Sequence, residues 1–183
     1  MKRVIIALAL LLLPITAHAA GTGNQCGPFR VPITVVGDGH GNALVSASNW
    51  CWQNLTKIGR SIFDTSIEQQ LRSLPKGAPV VISLGMADKE FGKKRNWKDF
   101  HIAVMNIQSI AEQQQLRWIW VMPPCLPDQS TDWVRDQIEG ELDISETWDW
   151  PYCQTHSPMP PSNVFYTSQI LNIETEFLRR FKH

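Results

Sequence analysis

Three short apolar runs alternate with longer amphipathic segments along the chain. They read PITVVGD (residues 32–38), APVVISLG (78–85) and LRWIWVMPP (116–124). Each run is almost continuously apolar and stops at glycine or proline, which is typical of a strand buried on both faces of a sheet. Two weaker strand candidates are KIGRSIF (57–63) and LDISETW (142–148).

The segments between these runs predict helices over residues 43–55, 65–74, 99–115 and 130–139, with a final helix over 162–181. In the final segment apolar residues recur at three- and four-residue spacings, and cations occupy the last turns, where they suit the helix dipole. Alternating strands and helices predict an α/β fold with right-handed crossovers and a parallel sheet. Ligands of such folds bind beyond the carboxyl ends of the strands, which directs attention to the loops 37–42, 59–62, 85–92, 123–129 and 149–163.

The first residues, MKRVIIALALLLLPITAHAA, join two cations to an apolar run and then to an Ala-His-Ala site. This pattern is typical of a secretory signal peptide, and the apolar run is short for a membrane span. We therefore expect residues 1–19 to be removed after Ala19, leaving residues 20–183 as one secreted or periplasmic domain without a membrane span. An uncleaved N-terminal anchor is the alternative.

Charge and cysteine usage narrow the partners and the compartment. The 17 cationic and 17 anionic residues balance, and no basic block occurs, so nucleic acid and anionic membranes are not expected as partners. An even number of cysteines in an exported chain favours two disulfides, while the absence of a CxxC pair disfavours a zinc ribbon or a thioredoxin-like redox centre. The four cysteines are Cys26, Cys51, Cys125 and Cys153.

Five blocks of the sequence, taken in order, resemble those of the SGNH (GDSL-like) hydrolase family. VVGDGHGNAL lies where the family has a strand followed by Gly-Asp-Ser, and KIGRS supplies the glycine of the second block. VVISLGMADKE resembles the third block, in which a strand runs into Gly-x-Asn-Asp, and WVMPPC resembles the fourth strand and its exit. CQTHSPM precedes the last helix much as the family's Asp-x-x-His-Pro block does.

The resemblance implies a three-layer αβα sandwich with a flavodoxin-like parallel sheet. In the family, the first-block serine attacks an ester carbonyl, a histidine takes its proton, and an aspartate orients that histidine, while amides and an asparagine hold the oxyanion. Three positions depart from this pattern: Gly39 replaces the serine, Ala87 the asparagine, and Cys153 the aspartate. The positions that match are Asp38, Gly59, Gly85, Asp88 and His156.

These departures fall on the chemistry and not on the scaffold. Loss of a triad nucleophile typically costs about 10⁶ in turnover, and loss of one oxyanion donor about 10²–10³. What the resemblance leaves is a pair of amides, from Gly39 and Gly59, that would face an oxygen atom. Such a site suits binding better than ester cleavage.

Each matched residue also has a structural interpretation. Gly39 is expected to meet a need for positive φ or close backbone approach in preference to admitting a ligand. Asp38 is expected to brace the turn through backbone hydrogen bonds, and Asp88 to cap the segment that follows it. His40 and His156 are the candidate bases, and His156 is the stronger because the family block points it at the same pocket.

A metal site is the sharper alternative. Asp38, His40, Asp88 and His156 are N and O ligands that could converge at the strand ends and activate water without a serine. No HExxH or comparable ligand spacing supports this arrangement, so neither a metal nor another cofactor is expected.

The resemblance also places the cysteines. Cys125 and Cys153 fall in the two loops that flank the presumed pocket, and Cys26 and Cys51 would tie the N-terminal extension to the first helix, which predicts the bridges Cys26–Cys51 and Cys125–Cys153. A free, nucleophilic Cys153 paired with His156 is the alternative.

The tryptophans have two interpretations. Trp118 and Trp120 share a strand face and are expected in the core. Packing is also favoured for Trp133, Trp148 and Trp150 over presenting a flat face to a sugar or acyl chain.

Three functional hypotheses follow. The first is an exported, catalytically degenerate protein that binds a small acyl or glycan ligand of the cell envelope. The second is an active esterase that uses metal-assisted hydrolysis or an unrecognised nucleophile, for which the available hydroxyls are Ser46, Ser48, Ser61 and Ser83. The third is an envelope protein that works through protein contacts. Neither the ligand nor the oligomeric state follows from the sequence.

Overall fold

A five-stranded parallel sheet forms the centre of the protein. The structure is a computed structural model that describes residues 32–49, 51–89, 97–155 and 162–181. The sheet order is β2-β1-β3-β4-β5, and every neighbouring pair is parallel. This is the flavodoxin-like order of doubly wound folds. The strands are β1 (Thr34–Gly37), β2 (Gln53–Thr56), β3 (Pro79–Ser83), β4 (Arg117–Val121) and β5 (Thr147–Trp148).

Helices cover both faces of the sheet and complete the predicted three-layer αβα sandwich. Alternate strand residues face opposite layers, so that Val36 and Val80 pack in one core and Val35 and Val81 in the other. The first core contains apolar residues of α2, α3 and α4, and the second contains those of α1 and α6. The helices are α1 (Gly39–Ala47), α2 (Ser66–Ser73), α3 (Trp97–Gln113), α4 (Asp132–Glu139), α5 (Pro151–Thr155) and α6 (Ser162–Arg180).

The three strong strand predictions are confirmed by β1, β3 and β4, and β5 lies within the weaker candidate 142–148. The strand predicted over 57–63 is wrong, because this segment is the loop that leaves β2. The helix predicted over 43–55 is wrong at both ends. The helix observed there, α1, begins earlier, at Gly39, where Asp38 caps it. It ends at Ala47 and is followed by β2, whose sequence QNLT is mostly polar and partly exposed and so contains no apolar run.

The outward backbone carbonyls of the edge strand β5 are occupied. Its register directs the carbonyls of Glu146 and Trp148 to β4, where they accept hydrogen bonds from backbone amides. The alternate carbonyls, those of Ser145 and Thr147, accept hydrogen bonds from the guanidinium of Arg180. The side chain of Arg180, in the last turn of α6, therefore covers these carbonyls.

Other packing predictions concern the tryptophans and cysteines. Trp118 and Trp120 are buried in the core beneath α3, as predicted. The bridge between Cys125 and Cys153 is present. Cys26, the predicted partner of Cys51, lies outside the described residues, as does the predicted signal peptide. None of the helices in the described ranges combines the length and hydropathy that a membrane span needs.

Candidate functional site

A pocket of about 390 Å³ opens at the carboxyl ends of β1 and β3. The strand order reverses between these two strands, and in doubly wound sheets this switch point is where ligands bind. Four loops, the first turn of α1 and Tyr166 of α6 form its walls. The lining residues are Asp38, Gly39, His40, Gly59, Met86, Ala87, Lys89, Pro124, Leu126 and Tyr166.

Asp38 braces this corner. Its side chain is 1% exposed, and one carboxylate oxygen accepts a hydrogen bond from the backbone amide of His40 at 2.9 Å, which caps α1. The other oxygen accepts from the amides of Met86 at 2.9 Å and Ala87 at 3.3 Å. One carboxylate thus joins the ends of β1 and β3, which is the scaffold role predicted for it.

Burial acts strongly on the ionisation of Asp38. Desolvation raises the pKa of the Asp38 carboxyl to about 6, against the opposing effect of backbone hydrogen bonds from His40, Ala87 and Met86. Asp38 also raises the pKa of Tyr166, for which burial is the larger cause. The Asp38 carboxylate therefore lies in the pocket wall, and its charge acts on the hydroxyl of Tyr166.

His40 is buried, with 6% of its surface exposed, and its ring packs edge-on against Trp150 with the ring centroids 4.9 Å apart. Its Nδ1 forms a hydrogen bond with the hydroxyl of Tyr166 at 2.9 Å. No group among the described residues bonds its Nε2, which is also buried.

The His40–Tyr166 pair has the arrangement of a base and a hydroxyl nucleophile, but its electrostatics oppose that role. Burial lowers the pKa of His40 to about 3 and raises the pKa of Tyr166 to about 12. A base that acts near neutral pH needs a pKa close to that pH. The pair therefore holds the tyrosine hydroxyl in place on the pocket wall.

Gly39 occupies the first position of α1, and the structural reason predicted for it is wrong. Its φ is not positive, and a Cβ added there would meet only Ile58, at an ordinary contact distance of 3.8 Å. A serine would fit at this corner, so the missing hydroxyl is not forced by the backbone. The glycine instead leaves the pocket wall open.

The other two glycines of the matched blocks have different roles. Gly59 lines the pocket and has φ of 74°, in a turn closed by a bond from the Arg60 amide to the Lys57 carbonyl at 3.0 Å. Gly85 does not line this pocket. Its φ is 112°, and a Cβ would lie 2.8 Å from Val134, so close packing requires glycine there.

Asp88 also differs from its expected part. It is 1% exposed and stands outside the pocket wall. Instead of capping the segment after it, its carboxylate accepts hydrogen bonds from the Ser61 hydroxyl at 2.5 Å and the Ile62 amide at 3.0 Å. Asp88 therefore fixes the loop after β2 against the loop after β3.

None of the four candidate serines lines the pocket. Ser61 is bound to Asp88, and the Ser48 hydroxyl donates to the carbonyl of Val45 at 2.7 Å. Ser83 is fully buried at the end of β3, and Ser46 is exposed on α1. The pocket wall, as far as the structure describes it, contains neither a serine nor a cysteine.

Cys153 is held in the bridge to Cys125 and therefore is not a free nucleophile. The bridge ties α5 to the loop after β4, from which Pro124 and Leu126 enter the pocket wall. His156, the stronger candidate base, lies outside the described residues. The described residues contain no group of three or more His, Cys, Asp or Glu side chains placed to hold a metal ion.

Tyr166 and Lys89 are pocket residues that the sequence analysis missed. Tyr166 lies three residues beyond the last loop selected, in a helical pattern that carried no chemical signal. Lys89 lies in the loop 85–92 and within the quoted third block, but it follows the four positions that match Gly-x-Asn-Asp and so corresponds to no motif residue.

Two of the three tryptophans for which packing was favoured, Trp133 and Trp150, do have packing roles. Trp150 is fully buried, donates from its indole Nε1 to the Met122 carbonyl at 2.6 Å, and supports His40. Trp133 packs against Phe100 in the opposite layer.

Several solved structures share this architecture. The OSK domain of Drosophila Oskar has a TM-score of 0.58 at 13% identity, covering 91% of this chain and 100% of that one. A GDSL-like lipase from Bacteroides thetaiotaomicron has a TM-score of 0.53 at 12% identity, covering 79% and 85%. The C-terminal catalytic domain of Streptococcus pneumoniae peptidoglycan O-acetyltransferase A has a TM-score of 0.53 at 18% identity, covering 84% and 96%.

No protein-family model matches the chain, and no curated protein matches it. The structural likenesses define the class: this chain has the fold of the SGNH hydrolases. Chemistry depends on the residues placed on a fold, which here are those of the pocket.

Proposed function

We propose that this chain is an exported, catalytically inactive protein with the SGNH hydrolase fold, whose switch-point pocket binds the acyl group of a small acyl or glycan ligand of the cell envelope. The observation that carries the proposal is the corner at Gly39. The Asp38 brace is intact and a side chain would fit, yet neither serine nor cysteine lines the described pocket wall. This combination favours a retained binding site over a retained catalyst.

The pocket offers the groups that an acyl carbonyl needs. Gly39 and Gly59 both line it, and neither backbone amide donates to another described residue. An amide in the first turn of a helix is a ready donor to a partly negative oxygen. Met86, Ala87 and Leu126 supply apolar wall for the carbon chain.

Two further observations support the biological setting. The bridge between Cys125 and Cys153 favours an oxidising compartment, in agreement with the predicted signal peptide. One structural neighbour is a domain of a peptidoglycan O-acetyltransferase, which motivates an acylated envelope glycan as ligand.

Binding tests the proposal directly. Isotope-labelled protein titrated with octanoate and with N-acetylglucosamine should show amide shifts centred on Gly39 and Gly59 for at least one probe. Ala87→Phe, which fills the pocket, should abolish these shifts. Leu171→Ala, at a site 62% exposed on α6, is the control and should leave them unchanged.

Hydrolysis of p-nitrophenyl acetate supplies the opposing measurement. We expect no turnover above the buffer rate. Turnover that disappears in Tyr166→Phe would contradict the proposal and assign an esterase with a tyrosine in its site. Absence of any shift at Gly39 and Gly59 with both probes would contradict the acyl-binding site.

A further inference from the structure

A second cavity, which we name the Trp148 groove, lies at the β5 edge of the sheet and shares none of its lining residues with the switch-point pocket. Its volume is about 740 Å³, within the range of about 300–1,000 Å³ usual for small-molecule sites. Its wall combines one aromatic ring with charged side chains. The residues that define it are Ile144, Trp148, Glu139, Asp149, Arg179 and Arg180.

Trp148 is half-buried and held in a fixed orientation. Its ring stands edge-on against Trp150, with the centroids 4.9 Å apart, and its carbonyl is bound by β4. An aromatic ring held in this way offers a flat apolar face without losing side-chain freedom on binding. Ile144, which is 91% exposed, adds apolar surface at the rim.

The charges of the Trp148 groove are already paired. Arg179 and Arg180 both contact Glu176, at 2.5 Å and 2.6 Å. Asp149 and Glu139 both contact Arg135, at 2.9 Å and 3.4 Å. The wall therefore presents both donors and acceptors of hydrogen bonds, and its charges nearly cancel, which disfavours an ion as ligand.

We propose that the Trp148 groove binds a neutral glycan chain. A sugar ring combines a flat apolar face, which suits Trp148, with hydroxyl groups that both donate and accept, which suit paired carboxylates and guanidinium groups. The ring of Trp150 connects the groove to the switch-point pocket. Its centroid lies 4.9 Å from that of Trp148, a groove residue, and 4.9 Å from that of His40, a pocket residue. The inference rests on the proposed function for the class of ligand, but it concerns a separate cavity.

The test uses the trisaccharide of N-acetylglucosamine as probe and isothermal titration as readout. Trp148→Ala should weaken binding at least about tenfold, and Arg179→Ala about threefold or more, since Arg179 is 70% exposed and its removal leaves the fold intact. Trp97→Ala is the matched control, because Trp97 is 61% exposed on α3 and does not line the groove. A sulfated oligosaccharide should bind no more tightly than the neutral probe.

The outcomes separate this inference from the proposed function. Loss of trisaccharide binding in Trp148→Ala and Arg179→Ala, with octanoate shifts at Gly39 retained, supports the groove. Equal binding by the wild type and both variants, or no trisaccharide binding while octanoate still binds, overturns the groove and leaves the pocket standing. If Trp148→Ala does not fold, Arg179→Ala alone decides.

Discussion

Two buried groups of the pocket, Asp38 and His40, should make opposite contributions to stability over the same pH range. Burial raises the pKa of Asp38 from 3.8 to about 6 and lowers the pKa of His40 from 6.5 to about 3. The folded protein therefore holds a proton on Asp38 where the unfolded chain has lost it. It also excludes a proton from His40 where the unfolded chain has gained it.

The signs follow from these directions. Asp38 contributes stability that is fully present below about pH 4 and is lost as pH rises through about 6, a change of about 3 kcal/mol. His40 contributes stability that is present above its unfolded pKa and is lost as pH falls toward about 3, a change of about 5 kcal/mol. Between about pH 4 and 6 each slope is about 1.4 kcal/mol per pH unit, so the two nearly cancel.

The perturbation is Asp38→Asn, compared with Asp143→Asn at an exposed aspartate. The side-chain amide that the substitution introduces turns an N–H toward backbone donors, which should lower the free energy of unfolding by about 1–3 kcal/mol at every pH. In addition, the variant should lose about 3 kcal/mol more between about pH 6 and pH 4, because the loss at His40 is no longer offset. His40→Gln should show the opposite trend and gain stability toward pH 4.

Urea unfolding at about pH 4, 5 and 6 measures these differences, and subtraction of the wild-type curve removes the other titrating groups. The Asp143→Asn curve is the reference for the loss of a carboxylate at an exposed position. A parallel curve for Asp38→Asn would refute the reasoning, because it would mean that the buried carboxyl has no raised pKa. If Asp38→Asn does not fold, a flat difference for His40→Gln refutes it equally.

Three other predictions concern the disulfide, two glycines and the ion pairs of Glu176. The Cys125→Ser, Cys153→Ser double variant should lose about 3.5 kcal/mol in urea unfolding, from the entropy of a loop closed over 28 residues, and a loss near zero would contradict that account. Gly39→Ala should change stability by no more than about 0.5 kcal/mol, whereas Gly85→Ala, with positive φ and a crowded Cβ position, should cost at least about 2 kcal/mol; equal costs would contradict the assignment of their roles. Hydrogen bonds from two arginines of α6 hold the pKa of Glu176 at about 2, so its contribution should be lost as pH falls from about 4.5 toward 2, and Glu176→Gln should make acid unfolding shallower there; an unchanged acid limb would argue against the pairing.

The strands that the sequence predicted most clearly are those buried on both faces. Strands β1, β3 and β4 are continuous apolar runs because helices cover both sides of the sheet. Strand β2, with the sequence QNLT, pairs with only β1 and is half-exposed, so its pattern resembles a loop. A short edge strand is defined by its partner more than by its own residues.

The candidate site was predictable where it depends on the ends of strands. Asp38 and Gly39 follow β1 directly, so the prediction of that strand places them at the sheet edge. Gly59 was found only through the resemblance of its block to the family, because β2 was not predicted. Tyr166 joins the pocket through a hydrogen bond with His40 across 126 positions, and no local pattern encodes that contact. Gly39 was predicted as a site residue, but its reason was not: only the backbone geometry shows that a side chain would fit at this position.

The contact of Arg180 with the carbonyls of Ser145 and Thr147 has a consequence for the behaviour of the protein in concentrated solution. An open sheet edge with free carbonyls is a template on which a strand of another molecule adds, and repeated addition leads to aggregation. The Arg180 guanidinium only donates hydrogen bonds, and it occupies these carbonyls, so a second strand would have to displace it in order to pair. We therefore expect Arg180, which also borders the Trp148 groove, to disfavour edge-to-edge addition of a second copy at β5.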